Sequence, residues 1–149
     1  MVGPRPWLLR GGNTLPVIDF TAWTAMLLGL FAVSASIGAL RKPGVWQTLI
    51  KQVEASPALQ MISGVAELAA GAAIYLVNPW DPSDLLTIAM RVIGGIMMLE
   101  ALVVVGFSDL YFHFWLRNLA AFQRGWAFVS LAAGLALTVA GAFHLSTVS

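Results

Sequence analysis

Long apolar runs alternate with short polar interruptions along the chain. Four runs approach the ~20 residues that a helix needs to cross the hydrocarbon of a bilayer. They cover residues 22–40, 58–77, 85–107 and 125–145. Arg41-Lys42-Pro43-Gly44 stops the first run. After it, Val45, Trp46, Leu49, Ile50 and Val53 fall on one helical face, with Gln47, Lys51, Gln52 and Glu54 largely opposite. That spacing predicts a short amphipathic helix in the membrane interface. Ser56-Pro57 reads as a helix start, with a capping hydroxyl and then proline in the first turn. Asn78 to Asp84 reads as a tight loop in which Asp81 caps the next helix and Pro82 opens it.

A second interfacial helix is expected after the third span, or continuing it. The stretch SDLYFHFWLRNLAAFQR is aromatic and basic, and His113, Arg117 and Arg124 fall on one stripe at +4 and +7, suited to headgroups. Residues 1–21 hold too many prolines and glycines for a long helix. Trp7, Leu8 and Leu9 between Arg5 and Arg10 suggest a tail on the membrane surface. The small residues around Ser34–Ser36 resemble a signal-peptidase site, but the apolar run continues past them, so the first run reads as a retained span.

The predicted architecture is therefore an all-α integral membrane protein: an N-terminal surface tail (1–21), then one domain (22–149) with four transmembrane helices in a bundle and interfacial helices after the first and third. Shifting the chain by 66 lays Gly29 on Gly95, Trp46 on Phe112 and Lys51 on Arg117, which suggests a duplicated two-span unit.

Composition agrees with this and narrows the chemistry. Of the 149 residues, 59% are hydrophobic and 10% charged, against about 25% charged in soluble domains. Too few polar side chains remain to cover a globule in water. The chain has no cysteine, which excludes disulfides and thiolate chemistry, and its two histidines lie far apart. A net charge of +1 without a basic run gives no footing for nucleic acid. No phosphate-binding loop, dinucleotide fingerprint or HExxH occurs. The nearest catalytic pair, Asp109 and His113 at i,i+4, lacks a nucleophile beside it. We expect no enzyme, cofactor or metal.

Two carboxylates stand out. Glu67 and Glu100 each lie inside an apolar span, where a charge costs a few kcal/mol and so turns toward protein, water or a partner. Ser63, Ser34 and Ser130 could supply hydroxyls beside them. Arg91 is expected to snorkel toward Asp84, and His144 to sit at the interface.

Two functions fit these features. The first is a structural or accessory subunit of a larger membrane complex, its acids fastening helices together. It is favoured because four short spans are expected to leave little room for a cavity. The second is a small oligomeric channel, or a proton- or cation-coupled transporter, using Glu67 and Glu100. Partners would be lipids and other membrane subunits or further copies of the chain. Arg41, Lys42, Lys51, Arg117 and Arg124 on one side, against Arg5, Arg10 and Arg91 on the other, place both termini outside a bacterial inner membrane.

Overall fold

The computed structural model describes residues 18–148, so the predicted surface tail, with Arg5, Arg10 and Trp7, lies almost wholly outside the described residues. The described residues form helices and no strands: α1 (Phe20–Arg41), α2 (Val45–Glu54), α3 (Pro57–Val77), α4 (Leu85–Gly106) and α5 (Ser108–Val148). Backbone angles leave helical values at Phe122 (φ −132°, ψ 25°), dividing α5 into a leading arm and a spanning arm. Four segments are long and apolar enough to cross a membrane: α1, α3, α4 and Phe122–Thr147 of α5. The predicted spans are all present. The fourth starts three residues before its predicted boundary, because the interfacial helix runs into it through the Phe122 kink. The third ends at Gly106, where non-helical angles at Phe107 separate α4 from α5.

Caps explain the starts. Asp19 accepts from the Ala22 amide (3.0 Å), Ser56 from Leu59 (3.4 Å), and Asp84 from Leu86 and Thr87 (3.0 and 3.3 Å). Each carboxylate or hydroxyl satisfies amides that the first turn leaves without partners. The expected cap by Asp81 is corrected. Asp81 instead closes the loop on itself, accepting from the Ser83 amide and hydroxyl (2.9 and 2.6 Å). Gly44, at φ +89°, makes the left-handed turn from α1 into α2.

Large apolar side chains cover the outside; Leu85 is 80% exposed and Leu76 77%. A wall of this kind suits the hydrocarbon of a bilayer. The interior is built from small residues, and Met90 and Asn78 are the largest fully buried side chains among the described residues. The helices associate as two antiparallel pairs, α1 with the spanning arm of α5, and α3 with α4. Each pair meets at two glycines, Gly29 with Gly134 and Gly71 with Gly94. Without a hydrophobic drive between helices in lipid, this backbone-to-backbone contact supplies the packing.

The two halves share one burial pattern. Ala22, Ala25, Gly29, Ser36 and Ala39 of α1 are buried, and so are Thr87, Met90, Gly94, Ala101 and Val104 of α4, each 65 positions later. The caps Asp19 and Asp84 obey the same offset. Gly64, Gly71 and Asn78 are buried, as are Ala127, Gly134 and Gly141, each 63 positions later. The offset of 66 is therefore corrected by one residue, which on a helix is a turn of about 100°. Gly94, not Gly95, is the counterpart of Gly29. The offset drops by two between the interfacial helix and the second span, where one half has the Ala55-Ser56-Pro57 break and the other the Phe122 kink. Exchanging the halves maps α1 on α5 onto α4 on α3, so the pattern of helix pairing is the same from either half.

Candidate functional site

The bundle has polar features at both ends. At one end, both helical pairs converge on His144, near the end of α5. Its Nδ1 lies 2.6 Å from Asp19 Oδ2 and its Nε2 2.7 Å from Asp84 Oδ2. Ionised carboxylates only accept, so a ring that holds both bonds donates from both nitrogens. The Thr87 hydroxyl also donates to Asp84 (2.6 Å) and lies 3.3 Å from the Thr21 hydroxyl. One imidazole thus ties the capped N-termini of α1 and α4 together.

Burial alone would push the Asp84 carboxyl up, but the Thr87 hydroxyl, the His144 ring and the Thr87 amide outweigh it and hold the group below the usual carboxylate range. A pKa lowered by folding adds stability that is complete above the unfolded value and lost as pH falls through the native one. In detergent, the melting temperature is expected to hold from neutral pH down to about 4 and then fall, with Asp84→Asn blunting the fall. His144→Ala leaves two carboxylates facing each other and should cost about 2 kcal/mol after allowing for partial exposure. Adding Asp19→Asn to it should recover part of that loss in the same melting experiment.

This cluster lies outside the expectations drawn from the sequence, and it corrects two of them. His144 bridges two helices rather than simply marking the interface. Arg91 does not pair with Asp84. Its guanidinium donates to the Asn78 carbonyl (3.0 Å) and lies 4.3 Å from the centre of the Tyr75 ring.

At the other end lies a cavity of about 660 Å³. Glu67 and Glu100 both line it, from α3 and α4. Glu67 is midway along α3, ten residues from either end; Glu100 is six residues from the end of α4, about 9 Å at 1.5 Å per residue. The Tyr111 hydroxyl donates to Glu100 Oε1, while no hydrogen bond to Glu67 occurs among the described residues. Ser63 and Ser130 also line the cavity; Ser34 is exposed, and Ser36 reaches the cavity in its place.

The interfacial helices contribute walls to this cavity. Trp46, Leu49, Ile50 and Val53 of α2 line it, as do Tyr111, Phe112 and Trp115 of the leading arm. The Trp115 and Trp126 rings stack at a tilt, 5.6 Å between centres. The apolar face of α2 therefore turns onto the bundle, with Lys51, Gln52 and Glu54 exposed. His113, Arg117 and Arg124 are exposed, but the Phe122 kink puts Arg124 on a different arm from the other two. Asp109 and His113 make no hydrogen bond or ion pair with each other among the described residues.

The internal repeat explains why there is room. Glu67 corresponds to Ser130 and Glu100 to Ala35, and all four positions line the cavity. The α3–α4 pair contributes the acids, while the α1–α5 pair presents Ala32, Ala35, Ser36, Ala127 and Ser130. A frame with matching halves thus carries unmatched side chains, and the small side leaves the volume. The expectation of little room for a cavity is overturned on this point. No group of three or more His, Asp or Glu among the described residues is arranged to hold a metal ion. Compared with known proteins, the chain matches no family model, no curated protein and no solved structure.

Proposed function

We propose that this small four-span membrane protein is a carrier that binds and passes on a proton or a cation through Glu67 and Glu100. The observation that carries this reading is the shared cavity: two carboxylates from different helices meet there, and no Lys, Arg or His lines it among the described residues. Coulomb repulsion between like charges in a poorly solvated site favours holding at least one proton or cation between them. Tyr111 positions the Glu100 carboxylate and leaves the Glu67 carboxylate free to exchange. The test is proton and cation flux into liposomes carrying the purified protein. Flux above that of empty liposomes, lost in Glu67→Gln, supports the carrier; equal flux in wild type and Glu67→Gln rejects it.

The carrier sits in a bacterial inner membrane with the cavity end cytoplasmic and both termini periplasmic. Arg41, Lys42, Lys51, Arg117 and Arg124 flank the cavity end, and Arg91 lies toward the other, which is the asymmetry of the positive-inside rule. Because the chain has no cysteine, single cysteines placed at Gln52 and Ser83 report sidedness directly with an impermeant thiol reagent.

A second reading, a subunit of a larger membrane complex or a homo-oligomer, rests on one edge of α1. Ser34 and Gly38 are both exposed, and a Cβ on Gly38 would meet nothing within 4 Å. That small-residue edge suits the close approach of another helix. Mass measured after mild detergent extraction tests it; a lone monomer counts against it.

A further inference from the structure

The walls of the cavity narrow its ligand further than the two acids do, provided the carrier reading holds. A site for a bare proton or an inorganic ion is small and lined with oxygen ligands or water. Here the volume, about 660 Å³, falls in the range of sites for organic molecules, which are mostly apolar with a few placed polar groups. Trp46, Phe112, Trp115, Trp126 and Phe31 supply flat apolar surface on several sides. Aromatic faces also attract cations, most strongly when desolvated. The charged groups of the lining are Glu67 and Glu100, both acidic, from α3 and α4; across from them α1 and the spanning arm of α5 present alanines and serines beside Leu28, Phe31, Gln123 and Trp126. The Gln123 amide lines the same space, and its Nε2 is buried with no hydrogen-bond partner among the described residues.

We propose that the cavity is a binding site for a bulky hydrophobic monocation, held with its charge toward Glu67 and Glu100 and its apolar body against the tryptophans and the small-residue wall. The titratable groups facing the ligand are Glu67 from α3, Glu100 from α4 and Tyr111 from the leading arm of α5; α1, α2 and the spanning arm contribute none to the lining. A monocation and one proton together neutralise two carboxylates. A neutral lipid tail fits the apolar walls but leaves the acids without a counter-charge.

The probe is tetraphenylphosphonium added to the purified full-length protein in detergent. Binding is followed by tryptophan fluorescence. Tetraphenylborate, of the same shape and opposite charge, and neutral triphenylphosphine oxide serve as comparisons. We expect saturable binding of the phosphonium, and none of the borate or the phosphine oxide. We expect affinity at least about tenfold weaker in Glu67→Gln. Ala35→Phe keeps both acids and narrows the small wall, so it should also weaken binding, which guards against a carboxylate variant that simply fails to fold. Equal binding of the neutral or anionic analogue, or affinity unchanged in both variants, overturns the proposal. Phosphonium that does not bind, in a preparation that still carries Glu67-dependent proton flux, overturns the ligand class and leaves the carrier standing; loss of both removes the carrier too.

Discussion

Gly94→Leu and Gly134→Leu should destabilise the bundle severely and to similar extents, whereas Gly38→Leu should not. A Cβ on Gly94 would stand 2.7 Å from the Tyr75 amide nitrogen and 2.8 Å from the Gly71 carbonyl oxygen. A Cβ on Gly134 would stand 2.8 Å from the Gly29 carbonyl oxygen and 2.9 Å from the Val33 amide nitrogen. In both cases the obstacle is backbone, which cannot swing aside as a side chain can. The whole helix must move, and the neighbouring contacts of that pair go with it. Overpacking a tight interior costs about 1–3 kcal/mol, and these sites should reach or exceed the top of that range. Leucine is also the better helix former by up to about 1 kcal/mol, so at Gly38, which faces open space, the same change is neutral or slightly favourable. Thermal unfolding in detergent, followed by circular dichroism, separates the cases. A Gly94→Leu protein that melts with Gly38→Leu would mean the glycine crossings do not hold the pairs.

The similarity of the two effects tests the internal repeat as well. Gly94 is the counterpart of Gly29 and Gly71 of Gly134, so each crossing is the other's image. The repeat is visible in the sequence only as order: span, interfacial helix, span. Its register is not, because one apolar residue substitutes for another along a lipid-facing helix, and a slip of one residue leaves hydropathy unchanged. Burial fixes the register because a slip of one turns the helix face, and only glycine fits where backbones touch.

The spans themselves are legible because lipid imposes a length and excludes charge, and both are written directly in the residues. The polar cluster is not. His144 reaches Asp19 and Asp84 across sequence separations of 125 and 60, and no local pattern encodes such contacts. One signal is available: both aspartates stand immediately before an apolar span, and the histidine stands at the end of the last one. The expected Arg91–Asp84 pair fails because Asp84 is already committed to its cap and to His144, which leaves the Asn78 carbonyl as the nearer acceptor. The cavity escapes the sequence for a related reason. Alanine and serine opposite an acid read as tight packing when the facing helix is unknown, yet here α1 and α3 barely touch and the small side chains leave space.

The second large effect concerns the carboxylates. In the flux experiment, Glu67→Gln should reduce transport by about 10²-fold, the scale on which a positioned proton-transfer group contributes. Glu100→Gln should do nearly as much, and the double variant no more than the worse single one. The reason is geometric. Both acids face one cavity, so they hold one ligand between them, and groups that act as a unit lose most of their effect when either is removed. Two independent contributions would instead give effects that multiply. Tyr111→Phe takes away a hydrogen bond to Glu100 but leaves both charges in place, so its effect should be several-fold at most. Glu67→Asp keeps the charge on a shorter arm and should retain more flux than Glu67→Gln. A double variant as low as the product of the singles, or a Glu67→Gln protein with full flux beside a dead Glu100→Gln, would separate the two acids. The second of those outcomes rejects the carrier, because Glu67 would then take no part in the flux.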